Sequence, residues 1–308
     1  MTFLIVGPGA MGCLFAAYLV KAGNEVQLLD YRPERAESIN KNGIRVEGIT
    51  GNFTVKVSAI TINPTETPDV VLICVKAFQT RMVAKKIKSW LGPDTMIITL
   101  QNGLGNFEVL QEILPPEKIL GGITSEGATL LGNGHIKHAG HGETVIGPVK
   151  SAGNQVAQIV KSFNVAGFDT KSSENVQNLI WGKLIINAGI NALTAITRLK
   201  NGMLPQLEGT RKIMKEVVNE AINVAQAKGI QLPYPDPLKR VNEVCQATSD
   251  NIASMLQDIL KHRITEVDFI NGAIVREGQT LGIATNVNHT LTCMVQALHE
   301  SYKDRITD

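Results

Sequence analysis

FLIVGPGAMGCLFAAYLVKAGNEVQLLD, Phe3 to Asp30, decides the fold. Phe3–Val6 is a short apolar run that reads as a strand, Ala10–Ala22 has helical spacing, and Glu25–Leu29 is the next strand. Between the first strand and the helix lies Gly7-Pro8-Gly9-Ala10-Met11-Gly12, a G-x-G-x-x-G pattern. Such spacing serves three needs: a tight turn at Gly7, close approach of a pyrophosphate to the backbone at Gly9, and close helix–strand packing at Gly12. Without the flanking strand and helix the pattern would be weak. In this context, with Asp30 closing the second strand, it predicts a dinucleotide-binding unit.

Working outward, strands and helices continue to alternate. Val70–Val75 is an unbroken apolar run of the kind buried on both faces of a parallel sheet, Met96–Leu100 reads as another buried strand, and Phe78–Trp90 and Glu108–Leu114 are helical. Ile119–Ile146, rich in Gly and Thr, reads as small antiparallel strands. After Phe168 the periodicity is helical: Asn178–Thr194, Arg211–Lys228, Pro237–Asn242, Asn251–Lys261, Glu266–Leu281 and Asn288–Tyr302. The expected fold class is therefore α/β, with an N-terminal Rossmann-type doubly wound domain (1–168) followed by an all-α domain (169–308).

Composition narrows the function classes. The 308 residues carry a net charge of +2 and 19% charged residues, which gives no electrostatic reason for a nucleic-acid or membrane partner. Lys85, Lys86 and Lys88 read as the solvated face of a helix. Cys13, Cys74, Cys245 and Cys293 form no C-x-x-C pair and no metal-ligand spacing, so no metal site is expected and a reducing compartment fits. The chain enters a strand at Phe3 without a signal-like stretch, and no unbroken run of about 20 apolar residues occurs. The cytoplasm is the expected location.

Chemistry-bearing residues gather at three places. Asp30-Tyr31-Arg32 ends the second strand: an aspartate there suits a ribose 2′-hydroxyl, while Arg32, with Arg35 and Lys41 nearby, suits a 2′-phosphate. Lys76 and Gln101-Asn102-Gly103 follow the third and fourth strands, at carboxyl ends where open α/β sheets bind ligands, although Asn-Gly is also a common turn. In the helical half, Lys183, Asn187 and Asn191 fall at i, i+4 and i+8 among apolar neighbours. A polar stripe on a mostly buried helix is costly unless satisfied. It reads either as a snorkelling lysine with backbone-bonded amides or as a catalytic face at an inter-domain cleft. Asn251, Ser254 and Asp258 are predicted to share a helix face. Glu266 after Thr265 reads, by itself, as a helix N-terminal residue favoured by the macrodipole.

Taken together, these segments resemble the ketopantoate reductase (2-dehydropantoate 2-reductase) family over nearly the whole chain. The likeness is carried by Gly7–Gly12, Lys76-Ala77-Phe78-Gln79, Gln101–Gly105, Lys183–Asn187 with Asn191–Ala195, and, most specifically, Ser254–Asp258 and Thr265–Gly272. The resemblance implies NADPH-dependent reduction of 2-dehydropantoate to (R)-pantoate on the route to pantothenate and coenzyme A. It implies Lys183 as general acid with Glu266 supporting it, and cofactor contacts at Gly7, Pro8, Gly9, Ala10, Met11, Gly12, Arg32, Lys76, Asn102, Ala128 and Glu266. Substrate contacts are implied at Asn102, Lys183, Asn187, Asn191, Asn201 and Ser254, with a small keto acid as substrate and a homodimer as assembly. One departure stands out: the family pattern has an arginine without an aspartate at the strand end, whereas this chain has Asp30 and Arg32. NADP(H) is favoured and NAD(H) stays open. Two other readings remain: a dehydrogenase of the 3-hydroxyacid type, which shares the glycine loop and a Lys-x-x-x-Asn helix but lacks Thr265–Gly272, and a non-catalytic dinucleotide sensor.

Overall fold

The computed structural model describes residues 1–148 and 155–304. The chain divides into two compact units, Met1–Gln101 with Asn106–Val176, and Asn102–Gly105 with Gln177–Asp308.

Among the described residues of the first unit, eight strands form one sheet. They are β1 (Thr2–Val6), β2 (Glu25–Leu29), β5 (Ser58–Ile60), β6 (Val70–Ile73), β7 (Met96–Thr99), β8 (Ile119–Thr124), β11 (Thr144–Pro148) and β12 (Thr170–Ser172). Their order is β12-β11-β8-β7-β6-β1-β2-β5, and all pairs are parallel except β8 with β11. The chain moves from β1 outward to β2, then returns to place β6 on the other side of β1. The carboxyl end of β1, where the glycine loop begins, is therefore a topological switch point.

The central strands are mostly apolar because both faces are covered. Phe3 and Ile5 pack in one core and Leu4 and Val6 in another; Val70 and Leu72 alternate with Val71 and Ile73 in the same way. The first core holds α1 (Ala10–Lys21) and α5 (Gln155–Val165), where Phe15 lies 5.7 Å from Phe163 and 5.0 Å from Phe168, centroid to centroid. The second holds α3 (Thr80–Ile87) and α4 (Asn106–Gln111).

A second, four-stranded sheet was not foreseen. It has the order β4 (Phe53–Val55), β3 (Ile44–Gly48), β10 (His135–Gly140), β9 (Gly127–Gly132), and its apolar residues join the α1 core. The small antiparallel strands expected over Ile119–Ile146 are thus shared between two sheets: β9 and β10 pair in this one, β8 and β11 in the large one. Helix α2 (Pro33–Asn42) and α5 were also not foreseen, since their polar residues blur the period. Beyond Phe168 the chain adds β12 before leaving the first unit at Val176.

The second unit is built on α6 (Val176–Thr197), α7 (Glu208–Ala227), α8 (Pro237–Ala247), α9 (Ser254–Leu260), α10 (Asn271–Leu281) and α11 (Asn286–Glu300). Helix α6 is long and apolar enough to cross a membrane by length and composition. Two-thirds of its most apolar window is buried inside the protein (67%), where Trp181, Leu184, Ile185, Ala188 and Leu193 form the core of this unit. Helix α8 runs five residues past its predicted end and is capped by Asp236, whose Oδ1 accepts from Lys239 N at 2.9 Å. A buried amide network joins four helices. Asn271 Nδ2 donates to Ala188 O (3.2 Å) and Asn288 Oδ1 (3.0 Å), and Asn288 donates to Val217 O (3.1 Å) and Glu220 (2.8 Å).

Two helix predictions need correction. Asn251–Lys261 begins as a helix only at Ser254, because the Asn251 amide N–H closes a turn on Thr248 O at 2.9 Å. Glu266–Leu281 is not one helix. A 3-10 turn (Val267–Phe269) is followed by a break at Ile270 (φ −109°, ψ −91°), and α10 starts at Asn271.

Candidate active site

The first unit supplies a dinucleotide cradle. Gly7 has φ +99°, and a Cβ there would stand 2.7 Å from Val75 Cγ1. A Cβ on Gly12 would stand 2.1 Å from Gly7 O, so the close helix–strand contact requires glycine. Nothing lies within 4 Å of a Cβ on Gly9, and that side of the turn is open to a ligand. Gly9 caps α1 without any side-chain hydrogen bond. The first amides of α1, from Ala10 and Met11 onward, thus face the site with no protein side chain competing. These observations fit a pyrophosphate. Cys13, one residue on, is not a reactive thiol: burial pushes its pKa up to about 12, and its Sγ donates to Pro8 O at 3.5 Å.

At the end of β2 the charges are already matched. The Asp30 carboxylate is buried and receives Arg35 through both Nε and Nη2, the latter at 2.6 Å, while Arg32 N donates to Oδ1 at 3.0 Å. The Arg32 side chain is exposed, and its guanidinium lies 5.3 Å from the Tyr31 ring centre. Lys76 is half-buried at the head of a 3-10 turn after β6. Gln101, at the end of β7, donates from Nε2 to Val75 O (2.7 Å) and Thr80 Oγ1 (2.9 Å), which ties the exits of β6 and β7 together. Sequence reasoning placed Gln101 at a ligand-binding strand end but did not foresee this tie between the two strand exits. Ala128, on β9, is half-buried and pairs with His138 on β10.

The second unit holds the predicted lysine and glutamate. Lys183 and Asn187 on α6 are partly exposed, and Asn191 is buried. The Lys183 ammonium lies in buried surroundings, which bring its pKa down to about 8; the charge of Glu266 acts in the opposite sense. Glu266 is buried at the head of the 3-10 turn, separated from α10 by the Ile270 break. The macrodipole account of Glu266 is therefore overturned, and its electrostatic partner is Lys183. The segment Asn102–Gly105 docks beside it. Leu104 N donates to Phe269 O at 2.8 Å, and at Gly103 (φ +86°) a Cβ would meet Phe269 O at 2.2 Å. Asn102 and Glu266 are thereby anchored to one short stretch of backbone. Asn201 is buried, its Nδ2 donates to Thr248 Oγ1 at 2.9 Å, and its Oδ1 has no hydrogen-bond partner among the described residues. Ser254 is exposed at the first residue of α9.

Both halves of the chain match known sequences. Residues 3–151 match the family described as ketopantoate reductase PanE/ApbA, and residues 175–299 match its C-terminal region. A 2-dehydropantoate 2-reductase of Pyrococcus horikoshii is 34% identical over 298 residues, 96% of this chain and 97% of that protein. The chain belongs to the ketopantoate reductase family. The namesake of Archaeoglobus fulgidus is 36% identical over 96% of each chain. The structure of a PanE/ApbA family ketopantoate reductase from Ralstonia eutropha JMP134 superposes with TM-score 0.90 at 34% identity, covering 98% of this chain and 99% of that one. A D-mandelate dehydrogenase with NADH and anilino(oxo)acetate superposes with TM-score 0.92 at 29% identity, covering 98% and 99%. Membership makes this protein an oxidoreductase acting on a CH–OH group with a nicotinamide dinucleotide.

Proposed function

We propose that this protein reduces 2-dehydropantoate to (R)-pantoate with NADPH, as a step toward pantothenate and coenzyme A. The observation that carries the reading is Lys183. A lysine on a mostly apolar helix whose pKa burial brings to about 8, with the charge of buried Glu266 acting on it, is suited to holding and giving a proton at neutral pH.

Bound NADPH supplies the hydride to the ketone carbon. The chain's own residues do the rest. As negative charge gathers on the ketone oxygen, the Lys183 ammonium stabilises it and transfers a proton from Nζ, leaving a neutral amine that solvent reprotonates. Glu266 favours the charged lysine and so keeps the acid loaded. Asn102, Asn187, Asn191, Asn201 and Ser254 orient the substrate through neutral hydrogen bonds, which add no charge competing with its carboxylate. The orphan Oδ1 of Asn201 suits a substrate hydroxyl donor. Gly7, Pro8, Gly9, Ala10, Met11 and Gly12 hold the pyrophosphate, and Lys76, Asn102, Ala128 and Glu266 complete the cofactor contacts.

NADP(H) is the preferred form in this reading. Asp30 is engaged by Arg35 and by Arg32 N, and its charge is compensated before any ribose arrives. Arg32 is left as an exposed cation for a 2′-phosphate. The resemblance further implies a homodimer, and the four free cysteines fit a reducing cytoplasm.

The likeness to D-mandelate dehydrogenase with NADH favours a second reading, a different 2-keto acid reduced with NADH. One assay separates the two. Purified protein is given 2-dehydropantoate or 2-oxo-2-phenylacetate, each with NADPH or NADH, and loss of the reduced cofactor is followed. Turnover highest with 2-dehydropantoate and NADPH is expected. No turnover of 2-dehydropantoate with either cofactor would sink the assignment.

A further inference from the structure

Glu126, His138 and His141 converge in the first unit and have no part in the chemistry above. Glu126 lies between β8 and β9, His138 on β10, and His141 one residue beyond it. The Glu126 side chain is fully buried (0% exposed), that of His138 nearly so (1%), while His141 reaches solvent (46%). Each carboxylate oxygen of Glu126 faces an imidazole: Oε2 is 2.7 Å from His138 Nε2, and Oε1 is 2.8 Å from His141 Nδ1. The other polar contact of the carboxylate is long, Gly142 N to Oε1 at 3.4 Å. On the far side of the His138 ring, Nδ1 is 2.9 Å from Thr50 Oγ1 and 3.3 Å from the Tyr18 hydroxyl, which itself bonds to Thr50.

A carboxylate removed from water needs strong compensation, and a set of two imidazoles and one carboxylate is a common way for proteins to hold a metal ion. The three donor atoms lie within 4.8 Å of one another. The His138 ring is also fixed from behind by a hydroxyl, the kind of outer hydrogen bond that orients a ligating histidine. We propose that Glu126, His138 and His141 bind one divalent transition-metal ion, with zinc the best fit. Two nitrogens and one oxygen match zinc rather than magnesium or calcium, which take oxygen. Donors about 2.1 Å from a tetrahedral ion stand about 3.4 Å apart, so with one carboxylate oxygen of Glu126 as ligand its imidazole contact (2.7 or 2.8 Å) opens by about 0.6 Å on binding and the other imidazole turns onto the ion. The ion takes the lone pair of His138 Nε2, and the ring proton sits on Nδ1, where Thr50 Oγ1 accepts it. The fourth position takes water, entering past the exposed edge of His141. The ion would tie the β8–β9 connection to the end of β10, next to the His138–Ala128 pair.

The test uses the full chain, stripped by a chelator and dialysed against Zn²⁺, with bound metal read by elemental analysis. The expected result is one zinc per chain, a rise in Tm with zinc, and at least a tenfold loss of affinity in His141→Ala. That substitution is at an exposed side chain, so the fold survives, and circular dichroism checks this. Glu126→Gln should lose affinity as well. His289→Ala is the control, because exposed Cys293 lies 3.7 Å from His289 Nε2 on α11 and is a rival pair of ligands. Co²⁺ in place of zinc should give a visible tetrahedral spectrum that His141→Ala abolishes. Absence of stoichiometric zinc in the unaltered protein, or binding that survives His141→Ala and vanishes in His289→Ala, overturns the proposal. None of these readouts depends on turnover, so they stand apart from the assignment of the reaction.

Discussion

The glycine loop and the polar stripe of α6 build function by opposite means. In the loop, side chains are missing where they would be in the way: Gly7 and Gly12 because a Cβ would strike Val75 or Gly7 O, and Gly9, with open space around it, because under the proposed function a phosphate approaches its backbone there. On α6, polar side chains are present where packing favours none, and Lys183 bears the electrostatic strain in a pKa of about 8. Backbone clearance is a matter of shape and makes few demands on the rest of the unit. A desolvated lysine depends on its carboxylate neighbour and on the turn that holds it.

Four measurements would break or sharpen this contrast, taken in descending order of effect. Lys183→Ala should lower kcat by about 10²–10⁴-fold while dinucleotide affinity, measured by fluorescence, stays near normal. A kcat within a few-fold of the unaltered protein would remove Lys183 from the acid role. Next, the glycines of the loop should separate. Gly12→Ala should cost about 1–3 kcal/mol in urea unfolding, since Gly7 O must move. Gly9→Ala should change stability by no more than about 0.5 kcal/mol and raise the KM for the dinucleotide by about tenfold, from the methyl's intrusion on the phosphates. Equal stability losses at the two positions would mean that Gly9 serves packing instead. Third, Arg32→Ala should reduce the ratio of kcat/KM for NADPH over NADH by about 10–100-fold, the worth of a charge-assisted hydrogen bond. An unchanged ratio would shift 2′-phosphate recognition elsewhere. The smallest effect is a shift in a pH profile. Reduction needs protonated Lys183, so kcat should be flat below pH 8 and fall above it. Glu266→Gln removes a negative charge that holds the ammonium protonated, so the fall should begin at lower pH, by about one unit. A shift to higher pH would contradict the assigned sign.

The same contrast explains how far the sequence could be read. The central strands of the large sheet were legible because both faces are buried, which leaves Val70–Ile73 as an unbroken apolar run and Met96–Thr99 apolar up to Thr99, while the edge strands β5 and β12 are too short and too polar to read. The glycine loop was legible because Gly7 and Gly12 are sterically required and the motif sits between a strand and a helix. The Lys183–Asn187–Asn191 stripe was visible as polarity at helical spacing, and Glu266 was found only through resemblance, since its own neighbours suggested a helix start. The 3-10 turn and the break at Ile270 rest on tertiary contacts, including Leu104 N to Phe269 O, that no local pattern encodes. The small sheet was hidden for the same reason: β3 pairs with β10, about ninety residues away. The convergence of Glu126, His138 and His141 was hidden too, because it depends on a hairpin whose register shifts beside His138.

One feature of the chain path bears on how this protein can be taken apart. After Gln101 the backbone contributes Asn102–Gly105 to the second unit, then returns to the first at Asn106. The four-residue excursion supplies the Leu104 bond to Phe269 O and the glycine that lets the two backbones touch. Neither unit is therefore a continuous piece of sequence. A fragment beginning at residue 177 would leave the Phe269 carbonyl without that partner, and a fragment ending at 176 would carry a loop shaped for a surface it lacks. Gene fusions or swaps between relatives that exchange only the C-terminal half would bring together a loop and a turn that had not changed in step. In this chain the piece that keeps those contacts together is the helical half plus those four residues.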